Sequence, residues 1–313
     1  MSAACWAASP RRRYSHRDCW AGCNAGMIST TVLLAVLGSA LLHAAWNAVV
    51  KSRADPVIGI AWLSVGSGVA AGLALPFVAF PVAAAWPFIL ASTAIHTVYN
   101  LMLATAYSHG DFSRVYPIAR GGAPLIVTLV SLAFLAEELS DRSLAAIGLI
   151  LLAILGVAWR RASERPAARD GGVGDRSLLF AGLTAVAIAG YTIADGLGAR
   201  AAGDAVPYIL WLFFVDAWPT VLIVMWMRRG RFRQTPRGDI VRSVAGGLLS
   251  MLAYGIVVWA MVSAPVAVVA ALRESSILFA ALIGVFVLKE RPGPVRIAAI
   301  VLLVAAVALL RLS

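Results

Sequence analysis

Ten runs of apolar residues, each long enough to form a helix across a membrane, follow one another along the chain. A bilayer core about 30 Å thick takes about 20 apolar residues per crossing helix. Hydrophobic residues make up 61% of the chain and charged residues 13%, so polar surface is too scarce to cover a water-facing exterior. We therefore predict an all-α, polytopic membrane protein with ten transmembrane helices. The predicted spans are residues 28–50, 57–80, 86–107, 113–136, 143–159, 177–199, 206–227, 240–262, 265–288 and 295–311.

The basic charge of the chain does not indicate nucleic-acid binding. The net charge is +11, but the arginines lie in short gaps between the apolar runs and form no continuous basic face. In membrane proteins, arginines placed in this way fix the orientation of the helices. We therefore expect the lipid bilayer, and no nucleic acid, around this chain. A homodimer is an open alternative.

The first 26 residues differ from the rest of the chain. They contain all three cysteines and four arginines but no apolar run of their own. We interpret residues 1–26 as a disordered or mis-assigned N-terminal extension, with Met27 as the start. His16, Cys19 and Cys23 resemble metal ligands, but a fourth zinc ligand at a credible spacing is missing. We expect no metal and no cofactor.

One long hydrophilic gap, residues 161–176, divides the chain into two halves of similar length. The halves, residues 27–160 and 177–313, carry five predicted helices each, and Trp46 in the first aligns with Tyr191 in the second. An odd number of helices per half makes the second half insert upside down relative to the first. Inverted repeats of this kind are typical of secondary transporters.

Short motifs recur in the same order in both halves. The first span contains His43-Ala44-Ala45-Trp46-Asn47, and a glutamate ends both the fourth span (Glu137) and the ninth (Glu290). Over about residues 28–311 this pattern resembles the drug/metabolite transporter superfamily, in its ten-helix EamA-like branch. The resemblance implies a secondary carrier whose central cavity is lined by the first, third, fourth, sixth, eighth and ninth helices. The first motif also resembles a subgroup associated with phosphonate use, which is an alternative.

The distribution of positive charge predicts the orientation of the chain in a cell membrane. The gaps after the odd-numbered spans, together with the adjoining ends of the spans, hold 17 Lys and Arg, whereas the other side, with the extension, holds 7. Positive charge resists translocation, so the charge count predicts that both termini face outside. The resemblance implies the opposite, with both termini inside.

Five charged residues lie at least four residues from the ends of the predicted spans, and such a residue costs about 2.5 to 3.5 kcal/mol near a helix centre. We expect them to face the interior of the bundle and to meet one another, water or substrate. They are Arg120, Asp195, Asp216, Arg273 and Glu274.

Two of these residues, Arg120 and Arg273, occupy corresponding places in the two halves. A guanidinium stays charged and binds anions through two hydrogen bonds, so the pair predicts a site for a carboxylate, phosphate or phosphonate. The alternative is that acidic residues neutralise both arginines and merely lock helices together. Glu274 is expected to point about 100° away from Arg273 on a helix, so that it need not neutralise its neighbour.

Acidic and imidazole groups within the spans are candidates for proton coupling. A carboxyl group away from water takes up a proton more easily than one in water, as proton coupling requires. The alternative is that each is a hydrogen-bonded packing residue. The candidates are Asp216, Glu274, Asp195 and His96.

Other polar and aromatic side chains complete the predicted substrate site. They are Asn47, Trp46, Tyr99, Asn100, Tyr116, Tyr191 and Tyr254. Glu137 is instead interpreted as a charged helix end at the level of the lipid headgroups, and Gly66 and Gly247 as close-packing positions between helices.

These features predict a secondary transporter of a small polar metabolite, anionic or zwitterionic, such as an amino acid or organic acid. It would work by alternating access, with protons as the candidate coupling ion. The sequence has no nucleotide-binding or catalytic motif, so we predict neither ATP use nor an enzyme. A non-transporting membrane subunit for lipid handling or sensing is the competing hypothesis.

Overall fold

The computed structural model describes residues 28–50, 55–108, 112–135, 137–163, 174–277, 279 and 293–311. The predicted extension, most of the linker and Glu290 lie outside these residues. Within them the chain forms helices and no strand, so the predicted all-α class is confirmed. The helices are α1 (Thr30–Val50), α2 (Pro56–Ala74), α3 (Trp86–Ser108), α4 (Phe112–Phe134), α5 (Asp141–Ser163), α6 (Gly174–Ala202), α7 (Ala205–Met227), α8 (Arg229–Arg233), α9 (Arg237–Ser263), α10 (Val266–Arg273) and α11 (Pro294–Arg311).

Five helical segments in the described part of the chain are long and apolar enough to cross a membrane. They are Thr30–Asn47, Val57–Phe77, Ala181–Ala202, Ala205–Met227 and Arg237–Ser263. Apart from the short helix α8, the other helices fall where the remaining spans are predicted. Ten crossings and the inverted relation of the halves stay predictions.

Local chemistry sets the helix boundaries near the predicted breaks. Asp55 accepts hydrogen bonds from the N–H groups of Val57 and Ile58 and so caps α2. Asp204 caps α7 in the same way, through the N–H of Val206. Gly203 before it has a φ of 76°, which glycine adopts readily, so that α6 and α7 join in a tight turn.

Short connections fix which helix ends share a face of the bundle. Two residues join α6 to α7 and two join α9 to α10. At about 3.5 Å per residue such links cannot cross a 30 Å core. We call the end of the bundle at which α6 ends and α7 begins the α6–α7 face. The end of α9 and the start of α10 lie at this face too. We call the opposite end of the bundle, at which α1 ends and α2 begins, the α1–α2 face.

The ninth predicted span is interrupted at its charged residues. All eight residues of α10 are buried, and the helix ends at Arg273. The N–H groups of Glu274 and Ser275 then bond to carbonyls three residues earlier, at 3.1 and 3.0 Å, as in a 3₁₀ turn. The expectation that Glu274 points away from Arg273 is wrong, because the two side chains meet and Nη2 of Arg273 lies 3.3 Å from Oε1 of Glu274.

The most extensive helix contacts join the first half of the chain to the second: α1 and α2 pack on α9, α2 on α7, α3 and α4 on α6, and α5 on α11. The glycines Gly66 and Gly247 lie between α2 and α9, where a Cβ on either would press against the backbone of the other helix. These two helices can therefore pack this closely because Gly66 and Gly247 have no side chains.

Candidate functional site

A cavity of about 140 Å³ lies between the two halves and is called the chamber. On α1 its walls are formed by His43, Trp46 and Asn47 in the C-terminal part, and on α2 by Ile60 and Leu63 in the N-terminal part. The chamber therefore extends from the middle of the bundle toward the α1–α2 face.

Most of the sequence-predicted site residues meet in this chamber. Its walls include Arg120, Arg273, Asn47, Trp46, Tyr99, Asn100, Tyr191, Tyr254, Asp216 and His96. Two predicted acids, Glu274 and Asp195, are fully buried behind the walls. The side chain of Tyr116 lies outside the described part of the structure. A second cavity, of about 270 Å³, lies beside Trp62 and Arg231 and includes none of the predicted residues.

Both arginines share one carboxylate. Nε of Arg120 lies 2.7 Å from Oε2 of Glu274, and Nη2 of Arg273 lies 3.3 Å from Oε1 of the same residue. Arg120 also donates to the Ser276 hydroxyl at 2.9 Å, and its Nη1 lies 3.1 Å from Nε2 of His43. Two guanidiniums and one carboxylate give this group, called the arginine triad, one excess positive charge.

Aromatic rings surround Arg273. Its guanidinium carbon lies 5.9 Å from the ring centroid of Tyr191 and 5.7 Å from that of Tyr254, within the range of cation–π attraction. The centroid of the Tyr191 ring also lies 3.9 Å from that of the His96 ring and 5.8 Å from that of the Tyr99 ring. A charged group and a set of π faces therefore occupy the same wall of the chamber.

Asp195 binds two tyrosine hydroxyls behind the chamber wall. Tyr254 donates to its Oδ2 at 2.6 Å and Tyr208 to its Oδ1 at 3.1 Å. Because Tyr254 lines the chamber and Asp195 does not, Asp195 contacts the chamber through Tyr254.

Asp216 is the acid that lines the chamber directly. Its Oδ1 lies 3.7 Å from Nδ1 of His96, beyond hydrogen-bond distance, and makes no hydrogen bond within the described residues. The Ser92 hydroxyl lies 3.4 Å from the same nitrogen of His96. Asp216 and His96 thus form a polar pair on α7 and α3.

The asparagines and Trp46 make local contacts at the chamber wall. Asn47 donates to the His43 carbonyl at 2.8 Å, and Nε1 of Trp46 donates to Nδ1 of His43 at 3.4 Å. Asn100 donates to the Thr220 hydroxyl at 3.3 Å, which links α3 to α7. His43 therefore connects the first motif to Arg120, a role that sequence reasoning missed.

The sequence did not indicate the partner of Glu137, which follows the end of α4 and does not line the chamber. Its side chain is 3% exposed and forms an ion pair of 2.7 Å with Arg200. The repetition of a glutamate at the ends of two predicted spans was the available signal, but nothing in the sequence pairs it with Arg200.

Comparison with known proteins finds a family match in the second half of the chain. Residues 175–312 match the EamA-like transporter family. A solved chain described only as "Crystal structure of protein" aligns over 90% of this chain and 96% of its own length, with a TM-score of 0.68 at 17% identity, and so shows the fold. No curated protein matches the chain. The family match lies in the second half of the chain, is consistent with the drug/metabolite transporter superfamily and suggests a membrane transporter of small molecules. The apolar helices support a multi-pass membrane protein.

Proposed function

We propose that the protein is a secondary transporter of a small anionic or zwitterionic metabolite, such as an amino acid or organic acid. It works by alternating access between two inverted repeats, residues 27–160 and 177–313, in the cell membrane. The observation that carries this proposal is the arginine triad at the chamber, where two buried guanidiniums share one carboxylate.

The charge of the triad favours an anionic group. A buried charge without a partner is costly, and the triad holds two positive charges against one negative. A carboxylate or phosphonate bound at Arg273 would supply the second negative charge and could accept two hydrogen bonds from the guanidinium. Attraction to the triad then contributes to substrate affinity.

The remaining walls suit the other end of a zwitterion. Asp216 and the rings of Tyr191 and Tyr254 line the same chamber as Arg273. A carboxylate and π faces both attract an ammonium group. An amino acid would therefore find complementary charge at both of its ends.

The interruption after α10 supports a transport site at this position. Transporters commonly bind substrates where a membrane helix is broken, because freed backbone groups and helix ends face the ligand there. Arg273 ends α10, and Glu274 lies in the tight turn that follows. The break and the charged residues coincide.

Asp216 is the leading candidate for proton coupling, with His96 as its neighbour. It lines the chamber, and its Oδ1 is buried without a hydrogen bond within the described residues, so that a proton can bind there. Glu274 is engaged by both arginines and Asp195 by two tyrosines, which makes either less free to exchange a proton.

The polar walls favour transport over the competing hypotheses. A lipid-handling or sensing subunit predicts a cavity closed by apolar side chains, whereas this chamber has Arg, Asp, His, Asn and Tyr in its walls. A phosphonate carrier would use the same arginines and is a narrower version of the proposal.

Uptake by purified protein in liposomes tests the proposal. Radiolabelled amino acids, organic acids and phosphonates are offered with and without a pH gradient, and protein-free liposomes serve as the control. We expect saturable uptake of at least one anionic or zwitterionic compound. If only cations or neutral solutes are taken up, the proposed substrate class is wrong. If the rate of uptake does not change with the pH gradient, transport is not coupled to protons.

A further inference from the structure

A buried ion pair closes the end of the bundle opposite to the chamber. At the α6–α7 face, Nη2 of Arg200 donates to Oε1 of Glu137 at 2.7 Å. The same guanidinium donates to the carbonyl oxygens of Met261, at 2.8 Å, and Ala264, at 3.0 Å. Arg200 therefore ties the segment that follows α4 to the ends of α6 and α9.

Glu137 also holds the start of α10. Its Oε1 accepts the N–H of Val266 at 3.0 Å, one of the groups that a helix leaves without an internal partner in its first turn. From Val266, α10 runs to Arg273, which lines the chamber. One short buried helix thus connects the ion pair to the arginine triad.

An apolar layer separates the chamber from the same face. Six fully buried residues of α6, α7, α9, α3 and the turn before α3 pack together there: Ala85, Ile89, Ala199, Tyr208, Leu212 and Val258. Ala199 directly precedes Arg200, so the layer and the ion pair adjoin. Together they seal the path from the chamber to the α6–α7 face.

The ion pair is built so that it can open. Oε2 of Glu137 is buried and makes no hydrogen bond within the described residues, so the cost of removing this carboxylate from water is only partly offset. The side chain of Arg200 is 19% exposed, which lets water reach one partner. An ion pair with these features stabilises the arrangement in which the α6–α7 face is closed, but the two side chains can still separate.

We propose that Glu137 and Arg200 form a gate that holds the α6–α7 face shut, and that α10 couples this gate to the arginine triad. The inference rests on the proposed function, because a gate has a role only in a protein that opens to its two faces in turn. When the pair separates, the N-terminus of α10 loses its contact with Glu137, and the apolar layer admits water.

Cysteine accessibility in the absence of substrate tests the gate. In full-length protein with Cys5, Cys19 and Cys23 replaced by serine, Leu212→Cys places a thiol in the apolar layer. The purified protein in nanodiscs is treated with a small water-soluble maleimide, which reaches both faces, and the labelling rate is measured. Glu137→Gln keeps the shape of the side chain but removes its charge, so we expect labelling to accelerate about tenfold or more.

The matched control is Glu138→Gln, which removes the exposed carboxylate next in the chain and leaves the labelling rate unchanged. Arg200→Gln must act like Glu137→Gln, and the double variant Glu137→Gln/Arg200→Gln replaces either single variant that fails to fold. Equal labelling rates in the folded variants and the control would overturn the gate.

Coupling through α10 is tested by adding Arg273→Ala to the same background. If α10 connects the two sites, the effects of Glu137→Gln and Arg273→Ala on the logarithm of the labelling rate are not additive. Additive effects would overturn the coupling. No substrate is present in the labelling experiment, so its result does not depend on transport. Faster labelling of a protein that shows no uptake would support the gate and count against the proposed function. Unchanged labelling of a protein with normal uptake would count against the gate and support the proposed function.

Discussion

Arg120 and Glu274 form an ion pair of 2.7 Å in which the side chains are 4% and 0% exposed. The pair joins α4 of the first half to the turn after α10 in the second half. Because Glu274 also binds Arg273, one carboxylate holds two cationic groups beside the chamber. The chamber wall and the contact between the halves therefore depend on the same three side chains.

Replacing Glu274 by glutamine should destabilise the protein strongly. The change leaves two buried guanidiniums without their shared carboxylate, and breaking a buried pair in this way costs about 3 to 5 kcal/mol. We expect a lower folded yield and a lower melting temperature in detergent. Glu138→Gln is the control, and a Glu274→Gln protein as stable as this control would contradict the structural role of the triad.

Arg273→Ala should abolish uptake and leave the amount of protein in the membrane normal. The Arg120–Glu274 pair remains intact in this variant as a neutral pair, so the fold keeps its main buried contact. Immunoblots of membranes and uptake in liposomes measure the two effects. Arg233→Ala, at an exposed position of α8, is the control. Loss of the protein from the membrane would instead indicate that Arg273 has only a structural role.

Asp216→Asn should separate uptake from the proton gradient. The amide keeps the size and polarity of the side chain but cannot bind and release a proton. We expect uptake driven by a substrate gradient to continue, and its stimulation by a pH gradient to disappear. If the variant still responds to the pH gradient as the parent protein does, Asp216 is not the coupling group.

Gly247→Ala should weaken the packing of α2 on α9. The added Cβ would press against the backbone carbonyl of Leu63 and lie 3.1 Å from the backbone nitrogen of Ser67. Overpacking of this kind costs about 1 to 3 kcal/mol, so the melting temperature should fall. Gly148→Ala on α5, which meets nothing within 4 Å, is the control and should keep or raise the melting temperature. Equal melting temperatures would show that the two helices can move apart without cost.

A reporter fused after Ser313 measures the orientation of the chain. The side with 17 Lys and Arg, against 7 on the other, is expected to stay in the cytoplasm and place both termini outside. A reporter active only in the cytoplasm should therefore be inactive at this position, and one active only outside should work. Activity of the cytoplasmic reporter would reverse the predicted orientation.

The helix boundaries were largely predictable because lipid and turn chemistry act locally. Asp55-Pro56 and Gly203-Asp204 mark the start of α2 and the junction of α6 with α7, and the structure places caps and a turn there. The gathering of Arg120, Arg273 and Asp216 around one cavity also followed from physics, since charged groups avoid lipid.

The pairing of charges could not be read from the sequence. No Pro or Gly marks the end of α10 at Arg273, and neighbouring positions about 100° apart on a helix do not indicate that the side chains of Arg273 and Glu274 meet. The burial of Glu137 depends on Arg200, 63 residues away, and on the carbonyls that end α9. Such contacts arise from how the helices pack, which local patterns do not encode.

The position of Arg273 between the rings of Tyr191 and Tyr254 bears on how tightly a ligand can be held. A long side chain normally loses about 2 kcal/mol of rotamer freedom when it is immobilised. Here the two rings and Glu274 restrict the guanidinium through their own contacts with it. An anion that docks at Arg273 meets a preorganised host, so less of its interaction energy is spent on ordering the protein.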